Sequence, residues 1–280
     1  MKVFGIIGWP VSHSLSPAMH NAAFKALGVK AVYGLLPVAP EALKEAVSGL
    51  KALGIAGVSV TIPHKEAVLP LLDGASETAR RIGAVNTILN REGRLYGTNT
   101  DWLGALKALE EKTNLPGKRA VVVGAGGSAR AVCFALKEAG ADIFVYNRTL
   151  SRAEELAAHF GGKAFSLAEI SRAEGDILIQ TTSVGLQEDK SPVPKEVLSR
   201  FEVVMDLVYQ PLKTRLLREA EEAGCKIVDG LSMLVYQGAE QFRLWTGLEP
   251  PLAIMREAAE NELRGERNGN QKDRATQEAG

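Results

Sequence analysis

The hexapeptide Gly124-Ala125-Gly126-Gly127-Ser128-Ala129 constrains this chain more than any other stretch, because of what stands on either side of it. Residues 120–123 are a short, β-branched apolar run that reads as a buried strand, and 129–139 carry the spacing of a helix closed by Gly140. A second strand-like run follows at 143–146, within the roughly 30 residues of one βαβ unit. In that setting Gly124 allows the tight turn, Gly126 lets backbone approach a pyrophosphate, and Ala129 keeps helix and strand close, with the helix N-terminus facing the anion. A dinucleotide-binding unit is expected, ahead of a merely tight strand-to-helix turn.

The end of the second strand selects the dinucleotide. An NAD site places an acidic residue there for the ribose hydroxyls, about 20 residues beyond the glycines, whereas this chain reads Asn147-Arg148-Thr149. An arginine with neutral neighbours repels nothing and suits a 2′-phosphate, so the expected cofactor is NADP. Strands at 176–180, 203–207 and 226–229 alternate with helices at 151–160, 214–223 and 231–245, with a short helix near 167–170. The polar loop after 180 contributes Thr181 and Ser183 on the cofactor side, and Gly230 opens the last of these helices.

Upstream, strands at 3–7, 32–38 and 57–62 alternate with helices at 17–27 and 40–53, a βαβαβ rhythm that implies a parallel sheet with right-handed crossovers. The third strand stops at Pro63, and Lys65 stands just beyond it on what reads as the first turn of a helix over 64–72. A helix at 76–82 precedes a hairpin-like pair, 84–90 and 94–98, whose ends carry Asn86 and Asn99-Thr100-Asp101. If these strand ends converge, Lys65 and Asp101 face one pocket. Taken singly, Lys65 reads as a solvated surface group and Asp101 as the cap of the helix at 102–112; the cofactor motif downstream is what raises the pair. Ser16 reads as the N-cap of the helix at 17–27, and with Ser14 and the positive helix end it offers a place for a carboxylate. Gln237, on the helix at 231–245, faces the expected interdomain cleft, with an exposed helix glutamine as the alternative.

Composition excludes several classes of function. Lys plus Arg and Asp plus Glu are equal at 33 each, so no net field draws the chain to nucleic acid or anionic membrane, and a small-molecule substrate is expected. Cys133 and Cys225 have neither CxxC spacing nor neighbouring histidines, which points away from a disulfide framework or a metal site and toward a reducing cytoplasm. Residues 1–8 read as a strand rather than a signal peptide, and no apolar run has membrane-spanning length. At 280 residues the chain accommodates two cores. The expected α/β architecture is an N-terminal, mostly parallel α/β substrate-binding and catalytic domain at 1–101, completed by 238–264 with a helix at 253–263 packing back on it. A C-terminal Rossmann NADP-binding domain follows at 102–237, and 265–280 form a disordered tail with nothing large and apolar to bury.

Seven motifs in one order give the chain a wider likeness: Ser-His-Ser-Leu-Ser-Pro at 12–17, Val-Thr-Ile-Pro-His-Lys at 60–65, Gly-Ala-Val-Asn-Thr at 83–87, Gly-Thr-Asn-Thr-Asp at 97–101, the glycine-rich turn, Asn-Arg-Thr at 147–149 and Tyr-Gln-Gly at 236–238. In these the chain resembles the shikimate dehydrogenase family from Val3 to about Leu263. The resemblance implies reduction of 3-dehydroshikimate to shikimate with NADPH, a step toward the aromatic amino acids, by a monomer or homodimer. It implies Lys65 and Asp101 as the catalytic pair, Ser14, Ser16 and Tyr209 around the substrate carboxylate, and Thr61, Asn86 and Gln237 with that pair around the ring hydroxyls and carbonyl. Ser59 stands where the family usually has asparagine, so the substrate contact expected there passes to a shorter, weaker or water-mediated group. Two alternatives stand beside this reading: a quinate/shikimate dehydrogenase using NAD, and a metabolite sensor on the same scaffold, which predicts loss of Lys65 or Asp101, both present.

Overall fold

The structure, a computed structural model, describes the backbone of residues 1–277 and the side chains of residues 1–265. The tail expected to be disordered at 265–280 is helical in its backbone as far as Gln277, and 278–280 lie outside the described residues. Two six-stranded sheets organise the described residues. The first half runs β1 (Lys2–Gly8), α1 (Ser16–Ala26), β2 (Ala31–Pro37), α2 (Leu43–Ala52), β3 (Gly57–Val60), α3 (His64–Ala67), β4 (Gly74–Ala75), α4 (Glu77–Ile82), β5 (Thr87–Arg91), β6 (Arg94–Thr98) and α5 (Asp101–Glu110). Its sheet has the order β2-β1-β3-β5-β6-β4, parallel from β2 to β3, with β5 antiparallel to both β3 and β6.

The second half runs β7 (Arg119–Val123), α6 (Gly127–Glu138), β8 (Asp142–Asn147), α7 (Leu150–Phe160), β9 (Lys163–Ser166), β10 (Ile177–Gln180), α8 (Lys195–Leu198), β11 (Val203–Asp206), α9 (Arg215–Glu222), β12 (Lys226–Val228), α10 (Gly230–Thr246) and α11 (Leu252–Gln277). Its sheet is parallel throughout, ordered β12-β11-β10-β7-β8-β9. That is the doubly wound dinucleotide-binding arrangement, with the order reversing between β7 and β10, where ligands bind. β7 and β10 are almost wholly buried, as strands covered by helices on both faces must be.

Several local expectations shift. β3 ends at Val60 rather than at 62, although the Thr61 N–H still donates to the Ile7 carbonyl and the Ile62 carbonyl accepts from Trp9, and Pro63 beyond has no N–H to continue the pairing. The helix over 64–72 is one α-helical turn followed by a 3₁₀ turn at Leu69–Leu71. β4, β9 and α8 carry no sequence signal: β4 has two residues, α8 is one turn, and β9 is a partly exposed edge strand without a continuous apolar run.

α10 and α11 return to the first half. Met255, Ala259 and Leu263 of α11 join Met19, Ala23 and Phe24 of α1 in one apolar cluster with Phe4, Phe242 and Trp245. Trp245 lies so close over β3 that a Cβ at Gly57 would fall 2.3 Å from its Nε1, and that nitrogen donates to the Ile88 carbonyl at 3.0 Å. The halves also share a core along one side, where Ile82, Ala105 and Leu109 pack with Ala129, Val132 and Phe134 of α6. Beside this shared core the two halves bound a cleft.

Candidate active site

A cleft of about 720 Å³ opens between the two sheets, lined from the first half by the ends of β3, β5 and α1 and from the second by the glycine-rich turn, the loops after β10 and β11, and α10. Every expected substrate residue borders it: Ser14, Ser16, Ser59, Thr61, Lys65, Asn86, Asp101, Tyr209 and Gln237. Of the expected cofactor residues, Ser128, Thr181, Ser183 and Gly230 also line it. Gly124, Ala125, Gly126, Gly127, Ala129, Asn147, Arg148 and Thr149 do not; they lie along the turn and the end of β8.

Lys65 sits at the junction. Its Nζ donates to Asp101 Oδ2 at 2.7 Å and to Ser128 Oγ at 3.0 Å. The lysine side chain is only 12% exposed and that of Asp101 only 6%, so neither is the solvated group that each would be alone. An ammonium has three protons, and the third is available to a ligand in the cleft. Asp101 is not the cap of α5: it is the first helical residue, Thr100 is the N-cap, and Asn99 Oδ1 accepts the Asp101 N–H at 3.0 Å. The carboxylate is thereby left to Lys65 and to Asn86 Nδ2, which donates to Asp101 Oδ1 at 2.8 Å.

At α1 the capping roles are exchanged relative to expectation. Leu15 is the N-cap, Ser16 is the first helical residue, and Ser14 Oγ accepts the Ser16 N–H at 3.3 Å. Pro17 shifts the helix start by one residue, since a proline is well placed in the first turn whether second or first. Both hydroxyls border the cleft beside a helix N-terminus that carries no acidic residue. Gln237 is buried rather than exposed; its Oε1 accepts from Asn86 Nδ2 at 3.1 Å and its Nε2 donates to the Leu234 carbonyl at 2.9 Å. α10 lies along α5 at Gly104, where a Cβ would fall 2.7 Å from the Met233 carbonyl oxygen and 2.9 Å from Gln237 Cβ. Close approach of the two helices is what brings Gln237 to Asn86.

Ser59 borders the cleft, but its hydroxyl is engaged behind it, accepting from Tyr33 OH at 2.6 Å and donating to Gln241 Oε1 at 2.8 Å. Gln241 and Tyr33 were not expected in the site. Gln241 stands four residues beyond Gln237 on α10, so helical spacing was a signal for it; Tyr33 on β2 had none.

The cofactor side fits a dinucleotide phosphate group. Gly124 adopts φ +117°, and a Cβ there would lie 2.4 Å from Thr181 Oγ1, so only glycine lets β7 turn this close to β10. α6 begins at Gly127 with no side chain capping its N–H groups, which leaves them to an anion. Arg148 is exposed at the end of β8, and Arg152 in the first turn of α7 adds a second guanidinium that the sequence reading passed over. Neither Asn147 nor Thr149 supplies a carboxylate, and Asn147 Nδ2 is turned onto the Thr149 carbonyl. A Cβ at Gly127 would fall 2.9 Å from Lys65 Cβ, so the cofactor turn and the lysine touch directly. Among the described residues no group of histidine, cysteine and carboxylate side chains is placed to hold a metal ion, and no helix is long and apolar enough to cross a membrane.

Known proteins repeat this layout. Residues 6–88 match the family of the shikimate dehydrogenase substrate-binding domain, 106–188 the shikimate/quinate 5-dehydrogenase family, and 230–260 the shikimate 5′-dehydrogenase C-terminal domain. The chain is 52% identical to the shikimate dehydrogenase (NADP(+)) of Thermococcus kodakarensis over 92% of its own length and 96% of that protein. Against the corresponding Geobacillus kaustophilus protein it is 50% identical, covering 94% and 99%. The crystal structure of shikimate 5-dehydrogenase from Thermus thermophilus in complex with NADP(H) and shikimate superposes with a TM-score of 0.86 at 46% identity, covering 94% of this chain and all of that one. Likeness of this extent, over both halves and the cleft between them, makes the chain a member of the shikimate dehydrogenase family.

Proposed function

We propose that the protein is an NADP-dependent dehydrogenase interconverting 3-dehydroshikimate and shikimate, with Lys65 and Asp101 as its reacting pair. The observation that carries this reading is the buried Lys65–Asp101 pair at 2.7 Å, in a cleft where the same lysine touches the dinucleotide turn through Ser128. Relatives that carry the same activity in their names cover nearly the whole chain.

When bound, the nicotinamide supplies or accepts the hydride. As a ketone is reduced, negative charge grows on its oxygen, and a cationic donor within hydrogen-bond reach lowers the barrier. Lys65 has one N–H left for that oxygen after its bonds to Asp101 and Ser128, and those bonds fix where it points. Asp101 orients the ammonium through Oδ2, and Asn86 holds the carboxylate by its other oxygen. Ser14 and Ser16 receive the substrate carboxylate at the start of α1, with Tyr209 across the cleft. Thr61 and Gln237 face the ring hydroxyls, for which Gln237 keeps its second Nε2 hydrogen. On the cofactor side, Arg148 and the α6 N-terminus hold phosphate groups.

A steady-state assay following the absorbance of the reduced nicotinamide, with shikimate and quinate each paired with NADP and NAD, tests the reading. Shikimate with NADP is expected to give the highest kcat/KM. Preference for quinate or for NAD assigns the chain to the alternative specificity, and no turnover with any pair removes the dehydrogenase reading.

A further inference from the structure

Behind the cleft, buried polar side chains that the reaction scheme leaves unused lead to Asn86 and Asp101. Their hydrogen bonds can be directed because two of the partners are main-chain groups, each with a single role. The Thr100 N–H donates to Asn86 Oδ1 at 2.7 Å, so the amide oxygen lies there and Nδ2 faces Asp101. The Asn86 carbonyl accepts from Gln241 Nε2 at 3.1 Å, so Gln241 Oε1 lies on the other side, where Ser59 must donate to it. With that proton committed, Ser59 can only accept at its second contact, and Tyr33 OH is the donor. Gln241 Nε2 also donates to Thr87 Oγ1 at 3.0 Å, and Thr87 donates in turn to Asn86 Oδ1 at 2.7 Å.

The bonds thus run in one direction, from Tyr33 through Ser59, Gln241, Thr87 and Asn86 to Asp101, whose other oxygen holds Lys65. All six side chains of this series are buried, Tyr33 at 2% exposure and Asp101 at 4%. We infer that the series is a positioning relay for the Lys65–Asp101 pair, in which Tyr33, Ser59 and Gln241 are positioning residues and Ser59 has no proton to give to substrate. This rests on the reading of Lys65 and Asp101 as the reacting pair. Each donor polarises the next, and Asn86 cannot turn its amide without losing its bonds to Thr87 and Thr100, so the carboxylate is held in one orientation. Ser59 is thereby a link in the wall behind the cleft.

Tyr33 does not border the cleft, and its hydroxyl adjoins Ser16 as well as Ser59, so an effect routed through Ser16 would show in the KM for shikimate and one routed through the relay in kcat. Tyr33→Phe and Ser59→Ala are each expected to lower kcat about five- to tenfold while the KM for shikimate moves less than about twofold. The double variant should be no slower than Ser59→Ala alone, because both substitutions break one series. In Tyr33→Phe without ligands, the side-chain amide resonances of both Gln241 and Asn86 should shift; this readout needs no turnover and stands even if the dehydrogenase reading fails. Should Ser59→Ala fail to fold, Tyr33→Phe, which keeps the ring, carries the test. A raised KM with normal kcat in Ser59→Ala would make Ser59 a substrate ligand and overturn the relay. So would a Tyr33→Phe protein matching the unsubstituted one in kcat and in the Asn86 resonance.

Discussion

At the scale of single residues, a partner decides what each group does. Lys65→Ala is expected to lower kcat by about a hundredfold or more with a much smaller change in KM, since its main interaction grows with charge in the transition state; a normal kcat with a raised KM would leave it a binding residue. Arg148→Ala should weaken NADP about tenfold or more and leave NAD nearly untouched, because only NADP brings a phosphate for a charge-assisted bond. Titrating both cofactors decides this, and equal weakening would make Arg148 structural. His20 has a role unconnected with chemistry. It is fully buried, stacked on Tyr33 at 4.5 Å, and neither ring nitrogen has a hydrogen-bond partner. Burial pushes its pKa from 6.5 down to about 3, with the Gln241 side chain beside it offsetting part of the shift. The unfolded chain takes up this proton first, so the stability His20 contributes is complete above 6.5 and is lost as pH falls toward 3. Asp206 acts in the opposite sense over a narrower window: burial raises it from 3.8 to about 6 against bonds from Thr214 and the Val208 N–H, so its contribution falls as pH rises between those values. His20→Phe keeps the stack and removes the titration. Denaturant unfolding should show the unsubstituted protein losing about 3 kcal/mol more than the variant between about pH 7 and about pH 4. Equal losses would acquit His20.

At the scale of elements, the site depends on where strands and helices end. β3 delivers Lys65 by stopping before Pro63, and α5 delivers Asp101 because Thr100 is its N-cap and Asn99 Oδ1 takes the Asp101 N–H, which leaves the carboxylate to Lys65. The glycine-rich turn also meets the lysine, since Gly127 lets it lie against the stem of Lys65. Gly127→Ala would place a methyl 2.9 Å from Lys65 Cβ, in a backbone conformation that alanine accepts without strain. The fold should survive while the turn and the lysine are forced apart. Two-substrate kinetics should show kcat lower by about tenfold and the KM for NADP raised; unchanged constants would mean that this contact is not kept during turnover.

At the scale of the whole molecule, the two halves are joined along one side by α5, α10 and a shared apolar cluster, while reacting groups approach from opposite walls of the cleft. A hinge along the packed side and closure across the open one follow from that asymmetry, and closure would exclude water from the nicotinamide. Small-angle scattering should show the protein more compact with NADP and shikimate together than with either alone. Identical radii of gyration in all states of an active enzyme would mean a rigid, preformed cleft. Much of this architecture is local and could be read from the chain alone. The turn at 124–129 declares itself through its neighbours, each half follows the alternation of apolar runs with helical spacing, and NADP was expected because 147–149 carry no acidic residue. What the chain could not declare is the direction a polar side chain takes once it is buried. Ser59 and Asp101 both border the cleft, but whether each hydroxyl or carboxylate faces solvent, a helix end or another side chain depends on groups far away in sequence, such as Gln241, 182 residues from Ser59. Hydrogen bonds are short and directional, so only the folded chain, bringing β2, β3, α10 and β5 together, decides which of the possible partners each group takes.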